Sequence, residues 1–271
     1  EKDRLARDYP QLALYFPWQL SVEQAIELAK ECEQAGFAAD PKITNSEGAT
    51  VSTSESQFIY ANSLDFMGGY PVSRHSVSCA LIAEHNESKQ RDYWYSVARD
   101  AVDLESAQEI GRKTGLRSAA RLGARKIATC EVPVIFEAPI ASSLIGHFAS
   151  AISGGSLYRK SSFLLDSIGE QVFAPDIQIL DLPYLPKGLG SGPFDEDGVA
   201  TMERKIVENG IVQGYFLGSY SARKLKMDTT GNAGGAHNLI IQSANTLDVS
   251  ALLKKLHTGL LVTELLGHGV N

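Results

Sequence analysis

Cysteine is scarce in this chain. Cys32, Cys79 and Cys130 are its only three in 271 residues, odd in number, far apart and without C-x-x-C spacing. That excludes a disulfide framework and a zinc knuckle, and leaves reduced, buried thiols as the expectation. Long apolar runs are also missing. None approaches the ~20 residues needed to span a bilayer, and no signal-peptide pattern opens the chain. No membrane partner is expected, and the chain reads as soluble and cytoplasmic. An excess of positive charge is absent too: 25 Lys and Arg stand against 32 Asp and Glu, for a net charge of −7. A polyanion binder needs clustered cations. The densest basic stretches, 112–126 and 223–226, are broken by apolar residues and read as helix faces, so no direct nucleic-acid contact is expected. An initiator methionine is lacking as well. The chain opens on Glu1 and closes on Leu265 to Asn271 straight after a strand-like run, which reads as a fragment.

What is present suffices for a sizeable core. Hydrophobic residues make up 44% of the chain, enough for one large or two modest domains. Residues 1–20 are proline-punctuated and aromatic, as a surface-packed linker would be. Ser21-Val22-Glu23-Gln24 is a capping box, and the helix it opens is expected to stop at Gly36. From Ile43 to Val97 alternating runs (49–56, 58–60, 76–82, 93–97) read as an antiparallel meander. Its turns are expected at Gly68-Gly69-Tyr70-Pro71 and His85 to Lys89. A second capping box, Ser106 to Glu109, opens a helix that stops near Gly123.

The second half mixes the same elements. A strand over 132–136 precedes an apolar helix over 139–153, stopped by Gly154-Gly155, and a strand follows over 176–180. Runs 202–207 and 211–217 flank Asn209-Gly210, a strong hairpin signal. Ser219 caps a short helix to Lys226, and Asp248 caps another ending near Gly259. The fold class is α+β: mixed and antiparallel curved sheets with segregated helices, in a two-domain fragment.

The helix over 139–153 carries the most informative chemistry, a zinc site that reads as erased. One face is apolar (Ile140, Leu144, Phe148, Ala151, Ile152), whereas Ser143, Gly146, His147, Ser150 and Gly154 line another. Small residues at that spacing permit close packing, and His147 read alone is a satisfied buried histidine. A catalytic zinc needs about three protein ligands and a carboxylate to take the proton of bound water. Ser142 and Ser143 supply neither. Nor does a nucleophile elbow or an orienting acid support a Ser143–His147 pair. Gly188 to Pro193 lacks the Lys-Ser/Thr of a phosphate loop and reads as flexible. Asp195 to Gly198 lacks the spacing of a calcium loop and reads as a surface turn. Gly231 to Gly235 before His237 would admit a peptide close to the main chain, although a structural loop is the plainer reading.

Several motifs together resemble a known family. Val132 to Phe136 with Gly146-His147, Gly154 to Asp166, Pro193-Phe194-Asp195 to Gly198, Ser219 to Leu225, and Thr230 to Gly235 resemble the TldD/PmbA family, especially its PmbA (TldE) branch. The resemblance runs from about Ser21 to the end. It implies residues 1–17 as a linker, 18–128 as a middle domain and 130–271 as a truncated third, metallopeptidase-like domain, with a first domain upstream. The catalytic relatives carry His-Glu-x-x-x-His on this helix and a further ligand from a C-terminal segment. Aligned on Gly146-His147, Ser142 replaces the first histidine and Ser143 the glutamate, and only His147 survives.

The implied role is the non-catalytic half of a heterodimeric metallopeptidase. Its TldD-type partner would hold the zinc, and this chain would have no catalytic or metal residue and no cofactor. Such complexes are associated with unfolded or modified peptides, including microcin precursors and labile antitoxins. Expected peptide- or partner-binding residues are Phe194, Asp195, Gly198, Arg223, Gly231, Asn232, Gly234, Gly235 and His237. Self-association is a further option. The alternatives are a protein-binding modulator of DNA gyrase acting without a peptidase partner, and an independent hydrolase.

Overall fold

The computed structural model describes residues 2–244 and 247–266. Helix α1, Val22–Ala39, begins with both bonds of the capping box: Gln24 N donates to Ser21 Oγ and Ser21 N to Gln24 Oε1. Gly36 does not end it. The helix runs on to Asp40, which is extended because Pro41 follows. Gly36 instead serves a crossing with α2, Ala107–Ala120. A Cβ on Gly111 would lie 1.8 Å from the Cys32 carbonyl oxygen, and one on Gly115 would lie 2.5 Å from the Gly36 oxygen. Three glycines thus bring two helix backbones into contact. Ser106 caps α2 by accepting from Glu109 N, but the expected return bond gives way to an ion pair of Glu109 with Arg112.

The meander is longer and simpler than its sequence suggests. Strands β1 (Ile43–Asn62) and β2 (Phe66–His85) are each 20 residues long, and β3 (Ser88–Ala98) completes an antiparallel β1-β2-β3 sheet. The Gly68–Pro71 cluster lies inside β2 and is not a turn. The chain reverses at 63–65, where Asp65 takes φ 63°. Proline is tolerated there because β3 pairs only with His75 to His85, which leaves Pro71 on a stretch with one free edge. Glycine is required because a Cβ on Gly68 would sit 2.9 Å from the rings of Phe66 and Phe194. Along β2 every second residue from Ser73 to Ala83 is buried, Val77 to Ala83 in the core shared with the helices and Ser73 and His75 against residues 14–18. Cys32 and Cys79 are buried in that core, but Cys130 is exposed, contrary to expectation.

In the second half β4 (Val134–Phe136) pairs in parallel with β9 (Leu260–Val262), flanked by α3 (Ala138–Ala151) and α6 (Val249–Leu256). Gly154-Gly155 opens a further helix rather than stopping one: α4 spans Gly154–Tyr158 with Ser153 as its cap. Strands β5 (Ile177–Asp181), β6 (Arg204–Glu208), β7 (Ile211–Val212) and β8 (Leu239–Ser243) form an antiparallel sheet ordered β7-β6-β5-β8. Asn209 and Gly210, at φ 53° and 79°, make the tight turn between β6 and β7. The expected strand 211–217 breaks early because Tyr215, Phe216 and Leu217 turn into the core. Helix α5 (Ser219–Leu225) has Gly218, not Ser219, at its cap; the Asp197 carboxylate accepts from Ser219 N instead.

Several contacts join the halves. An aromatic cluster joins Phe58, Tyr60, Phe66 and Tyr70 of the hairpin to Phe194 of the second half. On the other side Arg117 of α2 grips Glu137, the residue that starts α3, at 2.8 Å. Among the described residues no helix is long and apolar enough to cross a membrane.

Candidate functional site

Helix α3 places Ser142, Ser143 and His147 on its exposed side. Both serines bond back to their own helix: Ser142 Oγ donates to the Pro139 oxygen at 2.6 Å and Ser143 Oγ to the Ile140 oxygen at 2.7 Å. Such local bonds explain why serine is accepted mid-helix. His147 is exposed, not a buried core histidine: the core takes Phe148, Ala151 and Ile152, with Ile145 and Ala149 packed partly against it. The small-residue face packs closely only at its end: a Cβ on Gly146 would meet nothing within 4 Å, whereas one on Gly154 would lie 2.2 Å from Ser221 Oγ. Two committed hydroxyls and one imidazole do not fit zinc. Among the described residues no group of three or more His, Cys, Asp or Glu is placed to hold a metal ion.

The other expected residues, Arg223 excepted, converge. Asp181 ends β5 fully buried, and its carboxylate organises the glycine loop. His237 N donates to Oδ1 at 2.8 Å; Oδ2 lies 3.1 Å from His237 Nδ1 and accepts from Asn232 Nδ2 at 2.9 Å. Asn232 Oδ1 in turn accepts from Arg204 Nη1 and Thr230 Oγ1, at 3.0 and 2.8 Å. Burial pulls the Arg204 guanidinium down from its ordinary value, against the attraction of Asp181. With Nδ1 turned to the carboxylate, His237 keeps Nε2 free of that bond. Gly231, at φ 69°, fits because a Cβ would strike the Ala200 oxygen.

Next to this network the acidic turn is only partly on the surface: Asp195 and Gly198 are buried, whereas Glu196 is exposed. Asp195 Oδ1 accepts from Asp197 N and Val199 N, and Oδ2 accepts from Ala233 N, each at 2.9 Å. Gly198, at φ 79°, closes the turn against Phe66 and Tyr60. The 188–193 segment is held, not flexible. Arg99 donates to the Gly188 and Leu189 oxygens at 2.8 and 2.9 Å, and Gly190 N donates to Asn238 Oδ1.

Together these segments enclose a groove of about 450 Å³ between β1, β2 and the glycine loop. Phe194, Asp195, Gly234, Gly235 and His237 line it, with Asn232 behind. A second cavity of about 460 Å³ lies on the other side of Ala233 to Gly235, so the glycine loop is a thin wall between two hollows. Arg223 is exposed on α5 and lines neither. Sequence reasoning passed over Asp181, Arg204, Arg99 and Tyr70. Asp181 left one signal, a carboxylate at the end of a strand run.

Burial pushes the Asp195 carboxyl above its ordinary range, opposed by the three backbone N–H groups it accepts from. The native state therefore keeps this proton to higher pH than the unfolded chain. Between the ordinary carboxylate value of about 3.9 and the raised one, stability falls as pH rises. That slope, read from melting temperature against pH, is expected to vanish in Asp195→Asn.

Solved structures define the class. The chain superposes over 98% of its length on a Thermotoga maritima protein described as a modulator of a DNA gyrase, with TM-score 0.88, 28% identity and 64% of that chain covered. A Bacteroides thetaiotaomicron protein of like description gives 0.91 at 26% identity, covering 98% of this chain and 61% of that one. TldE from Thermococcus kodakarensis shares the fold, at TM-score 0.78 and 18% identity over 96% of this chain and 63% of that one. The profile of the PmbA/TldA metallopeptidase central domain matches residues 15–122, and that of the C-terminal domain matches residues 129–271. The chain belongs to the PmbA/TldD family. It is 45% identical over its full length to the metalloprotease PmbA homolog of Haemophilus influenzae and 44% identical to metalloprotease PmbA of Escherichia coli O157:H7, covering 60% of each. It thus spans about 60% of the length of these relatives. A metalloprotease TldD homolog of Haemophilus influenzae is 26% identical over 79% of the chain and 46% of that protein.

Proposed function

We propose that this chain belongs to the non-catalytic subunit of a TldD/TldE-type metallopeptidase, a cytoplasmic complex in which a TldD-type partner carries the zinc. The observation that carries this reading is α3: its serines at 142 and 143 bond to helix carbonyls, and among the described residues His147 belongs to no group of three His, Cys, Asp or Glu that could hold a metal ion. This donor set cannot bind and activate water by the chemistry the family's helix supplies. The groove supports a substrate-holding task. β1 is an edge strand that lends Ser56 to Phe58 to the groove wall, so an extended peptide can pair with it by main-chain bonds. Unfolded or modified peptides are the substrate class. The named residues at Gly234, Gly235 and His237 hold the opposite wall.

The reading is tested by adding the full-length protein to a TldD-type subunit and following cleavage of an unstructured peptide. Cleavage is expected to rise and to saturate at one equivalent. Equal rates with and without this protein, or recovery of gyrase and no peptidase subunit in a pull-down, would overturn it.

A further inference from the structure

The groove contains a charge that no carboxylate among the described residues neutralises. Arg99 is 6% exposed, and its guanidinium donates to three main-chain oxygens, those of Gly188, Leu189 and Ser73. Three bonds leave two of its five N–H groups. Among the described residues no carboxylate pairs with it, whereas Lys187, Arg117 and Arg121 each hold at least one. Carbonyl dipoles fix the guanidinium in place without cancelling its charge. A buried cation of this kind is costly unless a counter-charge arrives. Arg74 lies near enough to act on it with the same sign, and burial pulls the Arg99 guanidinium down from its ordinary value. The cation forms part of the groove wall, next to Tyr70. Gly192 leaves the Tyr70 hydroxyl room, since a Cβ there would come within 2.9 Å of that oxygen.

We propose that Arg99 and Tyr70 form a carboxylate-binding subsite in the groove, and that its ligand is the free C-terminal carboxylate of a peptide. The two N–H groups that the carbonyls leave, one on Nη1 and one on Nη2, can donate to the two oxygens of a carboxylate, a pairing that Lys could not reproduce. A phosphate dianion suits the site less, because Glu196 and Asp195 also line the groove and repel a second negative charge. A single carboxylate joined to an apolar residue suits it better: Phe58 and Tyr70, with ring centroids 5.5 Å apart, give the terminal side chain an aromatic wall. The subsite would set which end of a peptide the groove retains. It rests on the peptide-handling reading above and adds a polarity to it.

The test is calorimetric titration of the full chain with N-acetyl-Ala-Ala-Phe, its C-terminal amide, N-acetyl-Ala-Glu-Phe amide, and acetate. The free acid is expected to bind about tenfold or more tightly than either amide, the scale of a charge-assisted fork. Acetate, lacking the side chain, is expected to bind more weakly than the peptide acid. Arg99→Gln removes the preference for the acid. Because Arg99 also holds two segments together, its melting temperature is measured alongside. Tyr70→Phe, which deletes only a hydroxyl, is expected to weaken the acid severalfold and leave the amide unchanged. Equal binding of acid and amide, no binding by any probe at millimolar concentration, or a preference for the internal glutamate would each overturn the proposal. None of these results depends on cleavage, so the subunit reading would survive them.

Discussion

Replacing Asp181 with alanine is expected to destabilise the protein by about 3–5 kcal/mol, the scale of removing one partner from a buried charged network. The carboxylate is fully buried and meets His237 N, His237 Nδ1 and Asn232 Nδ2, and a cavity with unmade bonds would replace it. The consequence reaches the groove. Without Asp181 the imidazole of His237 keeps only a 3.3 Å contact with Asn232 Nδ2, and Asn232 loses one of the bonds that hold the glycine loop. Peptide binding should therefore fall together with stability. Asp181→Asn separates the two effects. It keeps the shape and one acceptor, so the loss in denaturant unfolding should be smaller while the orientation of His237 is still disturbed. A loss below ~1 kcal/mol in Asp181→Ala, the size of one ordinary hydrogen bond, would mean that the glycine loop holds its own shape.

The second large effect belongs to Gly111. A methyl group there would overlap the Cys32 carbonyl, 1.8 Å away, and main chain cannot rotate aside as a side chain can. Gly111→Ala must push α1 and α2 apart along their crossing and loosen the core of Cys32, Cys79, Leu81 and Ile110. Overpacking of this kind costs about 1–3 kcal/mol and more where backbone is struck, so a loss of at least ~3 kcal/mol is expected. Gly146→Ala is the counterpart. That glycine is helical and exposed with open space around it, and alanine should stabilise by about 0.5–1 kcal/mol through helix propensity alone. Thermal melts of the two variants should move in opposite directions.

These two glycines also show how far the sequence could be read. Local signals carried well: the Ser21 box, the Ser106 and Asp248 caps and the Asn209-Gly210 turn sit where their chemistry demands. Tertiary demands were invisible. Gly36 looks like a helix stop because left-handed glycine and close-packing glycine are the same letter. Gly68 to Pro71 looks like a turn for the same reason, although a partner strand and the ring of Phe194 are what require it. The glycine loop and the Phe194-Asp195 turn were legible as motifs, but not the groove they form with β1 and β2. Asp181 and Arg99 were missed because a single buried charge has no periodicity. The exposure of His147 was missed because the apolar stripe of α3 is fully buried only from Phe148 onward, and Leu144 within it is itself exposed.

On this account the family's peptidase helix survives here as a scaffold, and the chain's own work is holding peptide beside a catalytic partner. Metal content tests that most directly. The full-length protein, purified without any TldD-type subunit and dialysed against buffered zinc, is measured for zinc per chain. The account predicts no stoichiometric zinc and no peptide cleavage. One zinc per chain, lost on replacing His147, would contradict it.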